Sequence, residues 1–368
     1  MRLTAPLLAV VPAVVLAAAG AVPQSMEAVV QRGVGGPEVM KLEHLSVPRP
    51  AANQVLVQVY AAGVNPVDWK TRTGNPRVGG LADATRPGAT GGPGESKSPA
   101  APAGPATQAT GGAAPKIPGG EVAGVVAAVG DAVTQWHVGD AVYGRARAGG
   151  YAQYVVADTD VIAAKPKRLT FAQAAGLPVG GLTALSSLNT AGVHSGQTLV
   201  IIGAAGGVGS ATVQIAKARG VKVIAIASSR HNAYLKQMGA DGIVNYDKGN
   251  PAEKIGNADA VIDLVDGPAA AALSYVKRGG KVILPTGYLP LEQCAAAGVV
   301  CAEPDKSQPP SAAEVYAQLN RFVDAGQLTV KVQQTLPLAQ AGQAQELDHA
   351  GHAEGKIILV TTAAANQS

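Results

Sequence analysis

Cysteine and excess charge are the two features this sequence has little of. Its 368 residues include only Cys294 and Cys301, which excludes a scaffold of several disulfides and any zinc site with three or four cysteine ligands. Twenty-nine basic against 25 acidic side chains leave a net charge of +4 without a long basic run, so nucleic-acid binding has little electrostatic support. With 47% apolar and 15% charged residues, the chain can bury a sizeable core. At about 150 residues per domain, the length corresponds to two or three domains.

Long apolar runs are also missing, except at the start of the chain. Arg2 is followed by apolar residues up to Ala19-Gly20-Ala21, the layout of a secretory signal with cleavage after Ala21. We therefore expect an exported, periplasmic protein without a stable membrane span once the leader 1–21 has been removed. The alternative is a cytoplasmic protein that starts at Met26, because MEAVVQRGVGGPEVMKLE reads as a complete start of a protein.

A second stretch of unusual composition lies between Gly74 and Gly120. Its 47 residues include 12 glycines and 8 prolines, and no aromatic residue. Such a composition cannot bury enough apolar surface to offset the entropy lost on ordering. We interpret residues 78–115 as a disordered surface insertion within a domain, with a docking segment for a partner as the alternative.

The remaining sequence changes its pattern once. Up to about residue 160, short β-branched segments such as VLVQVYAAGV, GEVAGVVAAVG and DAVYG predict an all-β domain. After Lys165-Pro166, the segment TFAQAAGLPVGGLTALSSLNTAG has helical spacing, and strands then alternate with helices. TLVIIG and KVIAIA predict strands on either side of the helix SATVQIAKARG, which ends at Gly220. Such βαβ units indicate an α/β fold with a parallel sheet.

The strand TLVIIG runs directly into glycines at positions 203, 206, 207 and 209. Glycine is needed where the backbone takes a positive φ and approaches a pyrophosphate without interference from a Cβ. The next helix, expected to start near Val208, offers free N–H groups and the positive end of its dipole. The spacing is one residue longer than G-x-G-x-x-G, but the flanking strand and helix favour dinucleotide binding over a purely structural turn.

The second strand of this unit lacks an acidic residue at its end. It leads into Ala227-Ser228-Ser229-Arg230, and the next acid along the chain is Asp241. NAD sites place a carboxylate there for the ribose 2′-hydroxyl, whereas hydroxyls and a guanidinium suit a 2′-phosphate. The sequence therefore predicts NADP(H) as the cofactor, with ordinary solvated loop residues as the alternative.

These features, taken together, resemble the zinc-independent quinone oxidoreductase branch of the medium-chain dehydrogenase/reductase superfamily. The stretches that carry the resemblance occur in the family's order: MEAVVQRGVGGPEVMKLE, VLVQVYAAGVNPVDWKTRTG, PGGEVAGVVAAVG, VGDAVYG, GGYAQYVV, AAGLPVGGLTALSSL, GAAGGVGSATVQIAKARG and GHAEGKIIL. The resemblance implies a GroES-like β domain plus a Rossmann domain with a doubly wound parallel sheet, and an active-site cleft between them. The implied boundaries are 26–160 for the GroES-like catalytic domain, 161–305 for the Rossmann NADP-binding domain and 306–368 for a return to the catalytic domain.

The resemblance also implies that no metal is bound. Zinc alcohol dehydrogenases of the superfamily have a cysteine ligand where this chain has Asn65, and a Gly-His-Glu with a histidine ligand where it has Gly119-Gly120-Glu121. Without a Lewis acid, oxidation of an unactivated alcohol is disfavoured. A quinone or a polarised C=C needs less help, because its carbon is already electron-poor.

Cofactor contacts follow from the same resemblance. It implies Thr183 near the nicotinamide, Tyr246 on the nucleotide side, and Ser228 and Arg230 at the 2′-phosphate. The pyrophosphate would be bound by the glycine-rich turn, namely Ala205, Gly206, Gly207 and Val208.

The implied catalytic residues are Asn65, Asp68 and Lys70. Lys70 would donate a hydrogen bond to the substrate carbonyl and stabilise the developing enolate, and Asp68 would orient Lys70 or a proton-relay water. A solvated turn pair is the alternative for Asp68 and Lys70. Tyr151 and Tyr154 are interpreted as sheet packing.

The function expected from these observations is NADPH-dependent reduction of a quinone or an α,β-unsaturated carbonyl by hydride transfer. The expected partner is this small-molecule substrate, and a homodimer is left open. A non-catalytic NADPH-binding sensor or scaffold is the alternative from a different class. A zinc alcohol dehydrogenase is disfavoured by the missing ligands at Asn65 and Gly120.

Overall fold

The structure, a computed structural model, describes residues 22–74, 116–146, 149–265, 270–285, 290–304, 311–351 and 353–365. The leader 1–21 and the insertion 78–115 lie outside these residues, so both stay predictions. The described strands are β1 Ser25–Gln31, β2 Met40–Ser46, β3 Gln54–Gly63, β4 Glu121–Val129, β5 Ala141–Arg145, β6 Tyr154–Asp158, β7 Ile162–Ala164, β8 Thr198–Ile202, β9 Lys222–Ala227, β10 Gly242–Asn245, β11 Ala258–Asp263, β12 Val276–Ile283, β13 Val300–Ala302, β14 Val332–Pro337 and β15 Lys356–Val360. The α-helices are α1 Pro66–Arg72, α2 Phe171–Ala175, α3 Pro178–Ala191, α4 Gly207–Ala218, α5 Asn232–Gln237, α6 Ala270–Leu273, α7 Leu291–Ala297, α8 Ala312–Asp324, α9 Ala341–His349 and α10 Thr362–Ala365.

The first sheet is built around β3, a ten-residue strand rich in β-branched residues. Its strand order is β14-β15-β3-β4-β5-β7, and β6 also pairs with β3. Both faces of β3 are buried, since nearly every residue from Val55 to Gly63 has little exposed surface. The antiparallel pair β1–β2 lies beside this sheet, joined to it by a bridge between Ala28 and Ala152.

The second sheet is parallel, with the order β10-β9-β8-β11-β12-β13. Side chains of β8 alternate between its two faces: Leu199 and Ile201 pack with the helices α3 and α4, and Val200 packs in a separate apolar cluster on the other face. A parallel sheet covered on both faces is a doubly wound sheet. The predicted α/β class, a GroES-like β domain beside a Rossmann sheet, is confirmed.

Two local predictions were wrong in detail. The first domain is not all β, because NPVDWKTR forms the helix α1, in which Pro66 occupies the first helical position and Asn65 precedes it. The predicted helical segment from Thr170 onward is two helices, because α2 ends at Ala175 and Pro178 begins α3. Proline at the first helical position is favourable, whereas in a helix interior it removes a hydrogen bond.

The carboxyl-terminal part of the chain connects the two sheets. Strand β15 pairs antiparallel with β3, with Ile358 opposite Gly63, and β14 adds beside β15. Helix α8 contributes Asn320, whose Oδ1 accepts a hydrogen bond from the buried Tyr143 of β5 at 2.7 Å. In the same region the rings of Tyr143 and Tyr316 pack edge to face, with centroids 5.2 Å apart. Tyr316 and Leu319 of α8 also belong to the apolar cluster that contains Leu199 and Ile201 of β8, so the last part of the chain packs with both sheets.

The two cysteines form one disulfide between neighbouring elements. Cys294 lies buried on α7 and Cys301 lies on β13, with their Cα atoms 6.0 Å apart. The bridge fixes α7 to the edge strand of the parallel sheet. It is a single local crosslink, so the exclusion of a multi-disulfide scaffold is unaffected. Of the described helices, none combines the length and the apolar character that crossing a membrane requires.

We expect the double variant Cys294→Ala/Cys301→Ala to unfold more readily than the oxidised wild type. The bridge closes a loop with a sequence separation of 7, and a loop of that size restricts the unfolded chain by about 2 kcal/mol. The measurement is urea unfolding at 25 °C. A reductant should lower the unfolding free energy of the wild type and leave the double variant unchanged. Equal values for oxidised and reduced wild type would contradict the prediction.

Candidate active site

The glycine-rich turn between β8 and α4 has the conformation that its sequence requires. Gly203 has φ +76°, a region that residues with side chains rarely adopt. A Cβ at Gly209 would lie 2.3 Å from the carbonyl oxygen of Gly203, so only glycine fits there. Helix α4 begins at Gly207, one residue before the expected Val208, and no side chain caps it. Apart from the bridge between Gly206 and Gly355, the first turn of the helix has no cap, which leaves N–H groups and the positive end of the dipole for an anion.

Helix α3 brings Thr183 close to this turn. A Cβ built on Gly180 would lie 3.2 Å from the carbonyl oxygen of Gly207, which shows how closely the two helices approach. Residues three apart lie on the same side of a helix, so Thr183 is one turn further along α3 from this contact. Thr183 is half-buried, and its carbonyl accepts a hydrogen bond from the Ser187 hydroxyl at 2.7 Å. Thr183 therefore lies one helical turn from the contact of α3 with the glycine-rich turn, and its role at the nicotinamide stays a prediction.

The residues after β9 form a second part of the site. Arg230 is exposed, and its Nε donates a hydrogen bond to Nε2 of His231 at 3.0 Å. The other ring nitrogen of His231 lies 2.9 Å from Oε1 of Glu354. Because Nε2 accepts, we assign the ring proton to Nδ1, which donates to Glu354. Glu354 also forms an ion pair with Lys331, so this chain of contacts orients the guanidinium of Arg230 from the carboxyl-terminal segment.

Asp247 is a residue of this site that the sequence analysis missed. It follows β10, the parallel neighbour of β9, so its carboxylate lies at the edge of the sheet where Ser228 and Ser229 lie. The backbone N–H of Ser229 donates to Asp247 at 2.8 Å, its hydroxyl at 2.7 Å, and the Ser228 hydroxyl at 3.4 Å. Hydrogen bonds from the Ser229 side chain and backbone hold the pKa of Asp247 below its usual value. Tyr246, the preceding residue, is 56% exposed at the same edge.

The sequence does contain a feature that points to Asp247, because Asp247 directly follows the predicted strand GIVNY. Carboxyl ends of neighbouring parallel strands meet at one edge, so the residues just after GIVNY were candidates for the ribose site. The predicted 2′-phosphate site took account only of the strand KVIAIA and the next acid after it, Asp241. In the structure, Asp241 instead contacts the ammonium of Lys217 and the backbone of Val223.

A buried group of three charged or polar side chains lies between the two sheets. Glu121 of β4 has no exposed surface, Lys356 of β15 is 6% exposed, and Asn65 precedes α1. The ammonium of Lys356 lies 2.8 Å from Oε1 of Glu121, 2.7 Å from the side-chain oxygen of Asn65 and 2.8 Å from the carbonyl of Val64. The amide nitrogen of Asn65 donates to the same Glu121 oxygen at 2.9 Å. The ammonium thus donates hydrogen bonds to Asn65 and Val64 and forms an ion pair with Glu121, as a buried charge requires.

The second oxygen of Glu121 reaches helix α3. It accepts the backbone N–H of Val179 at 2.7 Å, one of the N–H groups at the start of α3 that have no partner within the helix. A carboxylate at this end of a helix is also favoured by the helix dipole. Glu121 therefore holds the start of the helix that carries Thr183.

Lys356 also lies against the glycine-rich turn. A Cβ on Gly207 would lie 2.5 Å from Cδ of Lys356, and the N–H of the preceding Gly355 donates to the carbonyl of Ala205 at 2.9 Å. The sequence analysis assigned no role to Lys356 or to the carboxylate of Glu121. For Lys356, the only signal in the sequence was a single lysine at the start of the otherwise apolar strand KIILV.

Asp68 lies on α1, beside this buried group. Its Oδ2 accepts hydrogen bonds from the backbone N–H of Asn65 at 2.9 Å and from the hydroxyl of Tyr151 at 2.8 Å. Burial raises the pKa of Asp68 to about 7, although both hydrogen bonds and the charge of Lys356 act in the opposite direction. Tyr151, interpreted from the sequence as sheet packing, is fully buried and also serves as this hydrogen-bond donor.

The other predicted catalytic residue on α1 lies apart from Asp68. Two residues apart on a helix, Asp68 and Lys70 do not face each other. The ammonium of Lys70 lies 5.6 Å from the centroid of the Trp69 ring. The structure thus brings Asn65 and Asp68 together with Tyr151, and the role assigned to Lys70 stays a prediction.

The donor set around Asn65 does not fit zinc. Gly120 has no side chain, and the amide of Asn65 together with Glu121 already surrounds a cation, the ammonium of Lys356. An amide and one carboxylate lack the histidine and cysteine ligands of zinc sites. Throughout the part of the chain that the structure describes, no group of three or more His, Cys, Asp or Glu side chains is arranged to hold a metal.

The raised pKa of Asp68 predicts a pH-dependent stability. A folded-state pKa of about 7 against about 3.9 in the unfolded chain means that the folded protein holds a proton which the unfolded chain releases. The stabilisation is complete below about pH 4 and is lost as the pH rises through 7. We expect the unfolding free energy of the wild type to fall by about 2–3 kcal/mol relative to Asp68→Asn between pH 5 and pH 8.

The measurement is urea unfolding of both proteins at several pH values. Tyr151→Phe is the matched control, because it removes a hydrogen bond that favours the charged form of Asp68 and should move the loss to higher pH. Parallel pH profiles for wild type and Asp68→Asn would show that Asp68 keeps an ordinary pKa.

Comparison with known proteins identifies the family. The description "Alcohol dehydrogenase GroES-like domain" matches residues 100–167, and "Zinc-binding dehydrogenase" matches residues 238–359. The chain is 31% identical over 361 residues to the chloroplastic NADPH-dependent alkenal/one oxidoreductase of Arabidopsis thaliana, covering 94% of this chain and 82% of that protein. It is 32% identical over 347 residues to the quinone oxidoreductase of Sus scrofa, covering 89% and 95%.

A solved structure gives the same result. The quinone oxidoreductase from Coxiella burnetii superposes with a TM-score of 0.76 at 30% identity, over 91% of this chain and 99% of that one. Sequence and fold thus agree along nearly the whole length of these relatives. The chain belongs to the quinone oxidoreductase branch of the medium-chain dehydrogenase/reductase superfamily.

Proposed function

We propose that this protein is an NADPH-dependent oxidoreductase that reduces quinones or α,β-unsaturated carbonyls by hydride transfer, without zinc. The observation that carries the proposal is the uncapped glycine-rich turn of α4, held next to the buried group of Asn65, Glu121 and Lys356. The relatives in pig and Arabidopsis, named as a quinone oxidoreductase and an alkenal/one oxidoreductase, support this substrate class.

The cofactor would be bound along the carboxyl edge of the parallel sheet. Ala205, Gly206, Gly207 and Val208 would hold the pyrophosphate, and Thr183 would lie at the nicotinamide. Ser228 and the oriented guanidinium of Arg230 would bind the 2′-phosphate, with Tyr246 beside the adenosine. The preference for NADP(H) rests on the charge of Arg230 and is supported by the NADPH dependence named for the Arabidopsis relative.

Reduction requires a hydride at one carbon and a proton at the carbon or oxygen that receives the displaced electron pair. The bound nicotinamide supplies the hydride. Asp68 is the best proton source among the described residues around Asn65, because burial gives it a pKa of about 7 and it can hold a proton at neutral pH. Lys70 would hydrogen-bond the substrate carbonyl and stabilise the enolate charge.

The location of the protein and the choice between an enzyme and a sensor are also matters of proposal. We propose that the chain is exported, which is supported by the Cys294–Cys301 disulfide, since such bridges persist in oxidising compartments. The sensor or scaffold alternative has no comparable support, because the relatives are named as enzymes and the predicted catalytic residues Asn65 and Asp68 lie in an ordered, hydrogen-bonded group.

The function is tested by NADPH oxidation with a panel of quinones, enones and saturated alcohols. We expect turnover with quinones or enones, and no oxidation of simple alcohols by NADP⁺. Prolonged chelator treatment should leave the rate unchanged, and elemental analysis should find no stoichiometric zinc. Tight NADPH binding without any turnover would favour the sensor alternative. One zinc per chain, lost together with activity, would show that the metal assignment was wrong.

The cofactor preference is tested by Arg230→Ala. Loss of a charge-assisted contact of about 1.5–3 kcal/mol should weaken NADPH binding by about 10- to 150-fold and change NADH binding much less. Binding constants from fluorescence titration measure both. Arg278→Ala is the control, since it removes an exposed guanidinium near the start of β12, at the opposite edge of the sheet. Equal losses for both nucleotides would remove Arg230 from the 2′-phosphate site.

A further inference from the structure

The two serines expected near the 2′-phosphate already have an anionic partner within the chain. Ser229 donates its backbone N–H and its hydroxyl to Asp247, and the Ser228 hydroxyl points to the same carboxylate. A phosphate at the end of β9 would use these same groups. The carboxylate of Asp247 therefore occupies part of the position that a phosphate would take.

The charges at this edge are opposed. Arg230, with its Nε held by His231, and Lys248 beside Asp247 contribute positive charges, and Asp247 contributes one negative charge. Hydrogen bonds from Ser229 lower the pKa of Asp247, so the carboxylate is charged at neutral pH. A 2′-phosphate carries up to two negative charges and is repelled by a carboxylate at contact distance. A 2′-hydroxyl is neutral and can donate to the carboxylate, as it does to the acidic residue of NAD sites.

We propose that Asp247 is a specificity-determining residue that limits the preference for NADP(H) over NAD(H) by occupying the donors of Ser228 and Ser229. NADPH binding displaces the carboxylate from these donors, whereas NADH binding leaves it in place as the acceptor of the ribose hydroxyl. This inference rests on the proposed nicotinamide cofactor. The inference adds that the enzyme uses NADH measurably. The preference for NADPH over NADH then depends on attraction of the 2′-phosphate by Arg230 and its repulsion by Asp247.

The same hydrogen bonds have a purely structural interpretation. Asp247 could serve only to close the short turn Ser229–His231 onto the turn after β10. Such a role predicts that a substitution changes stability and affects both nucleotides alike. A role in specificity predicts opposite effects on the two nucleotides, so the ratio of their binding constants distinguishes the two interpretations.

The test is Asp247→Asn, which keeps an oxygen that can accept from Ser229 and removes the charge. Dissociation constants for NADPH and NADH are measured without substrate, at low and high salt. We expect NADPH to bind about 3- to 30-fold more tightly than to the wild type, because the repulsion between exposed charges is removed. NADH should bind more weakly. The NADPH gain should shrink at high salt, where exposed charges are screened.

Glu253→Gln is the matched control, since it removes an exposed acid in the next short turn that contacts neither serine, and it should leave the ratio unchanged. An unchanged NADPH-to-NADH ratio in Asp247→Asn, in a protein that binds NADPH, would overturn this inference and leave the proposed function intact. Binding of neither nucleotide by the wild type would overturn both. A wild type that prefers NADH, with a ratio that Asp247→Asn shifts towards NADPH, would support the inference and contradict only the predicted NADP(H) preference.

Discussion

The relative position of the two sheets depends on the contacts of one fully buried carboxylate, that of Glu121. It comes from the antiparallel sheet and contacts the ammonium of Lys356, the amide of Asn65 and the N–H of Val179. Leaving one partner of a buried ion pair unpaired costs about 3–5 kcal/mol, so the elements that carry these groups are held together. Because one contact is at the start of α3 and another at the start of α1, the position of Thr183 is fixed relative to Asn65 and Asp68.

The ion pair between Glu121 and Lys356 also ties the last strand of the chain, β15, to the first sheet. Three consecutive residues before and within β15 contact three parts of the site in turn. Glu354 binds His231, which orients Arg230; the N–H of Gly355 binds the carbonyl of Ala205 in the glycine-rich turn; and Lys356 binds Asn65 and Glu121. A single short segment thus fixes the loop of Arg230, the glycine-rich turn and the group of Asn65 and Glu121 in relation to one another. A shift of this segment would affect all three together.

The sequence was sufficient for features that depend on local pattern. The strand TLVIIG, the glycines after it and the helix SATVQIAKARG could be predicted because turn geometry and periodicity are properties of neighbouring residues. The partners Glu121 with Lys356, and Ser229 with Asp247, could not, because each pair is joined only when distant strands become neighbours in a sheet. The raised pKa of Asp68 has the same origin, since it depends on burial by elements far away in the sequence.

The ammonium of Lys356 also explains why the chemistry of this site is suited to acceptors that are already polarised. A metal at this position would have an open coordination position for a substrate oxygen. The ammonium has no such position, because it donates hydrogen bonds to Asn65 and Val64 and is paired with the carboxylate of Glu121. These contacts hold the ammonium within the protein and leave it no free position for an alcohol oxygen. In the proposed function, electrophilic assistance comes instead from hydrogen bonds and from the proton that Asp68 can hold, since burial raises its pKa to about 7. A quinone or a conjugated carbonyl requires no more than that, because the electron pair displaced by hydride already has an oxygen to receive it.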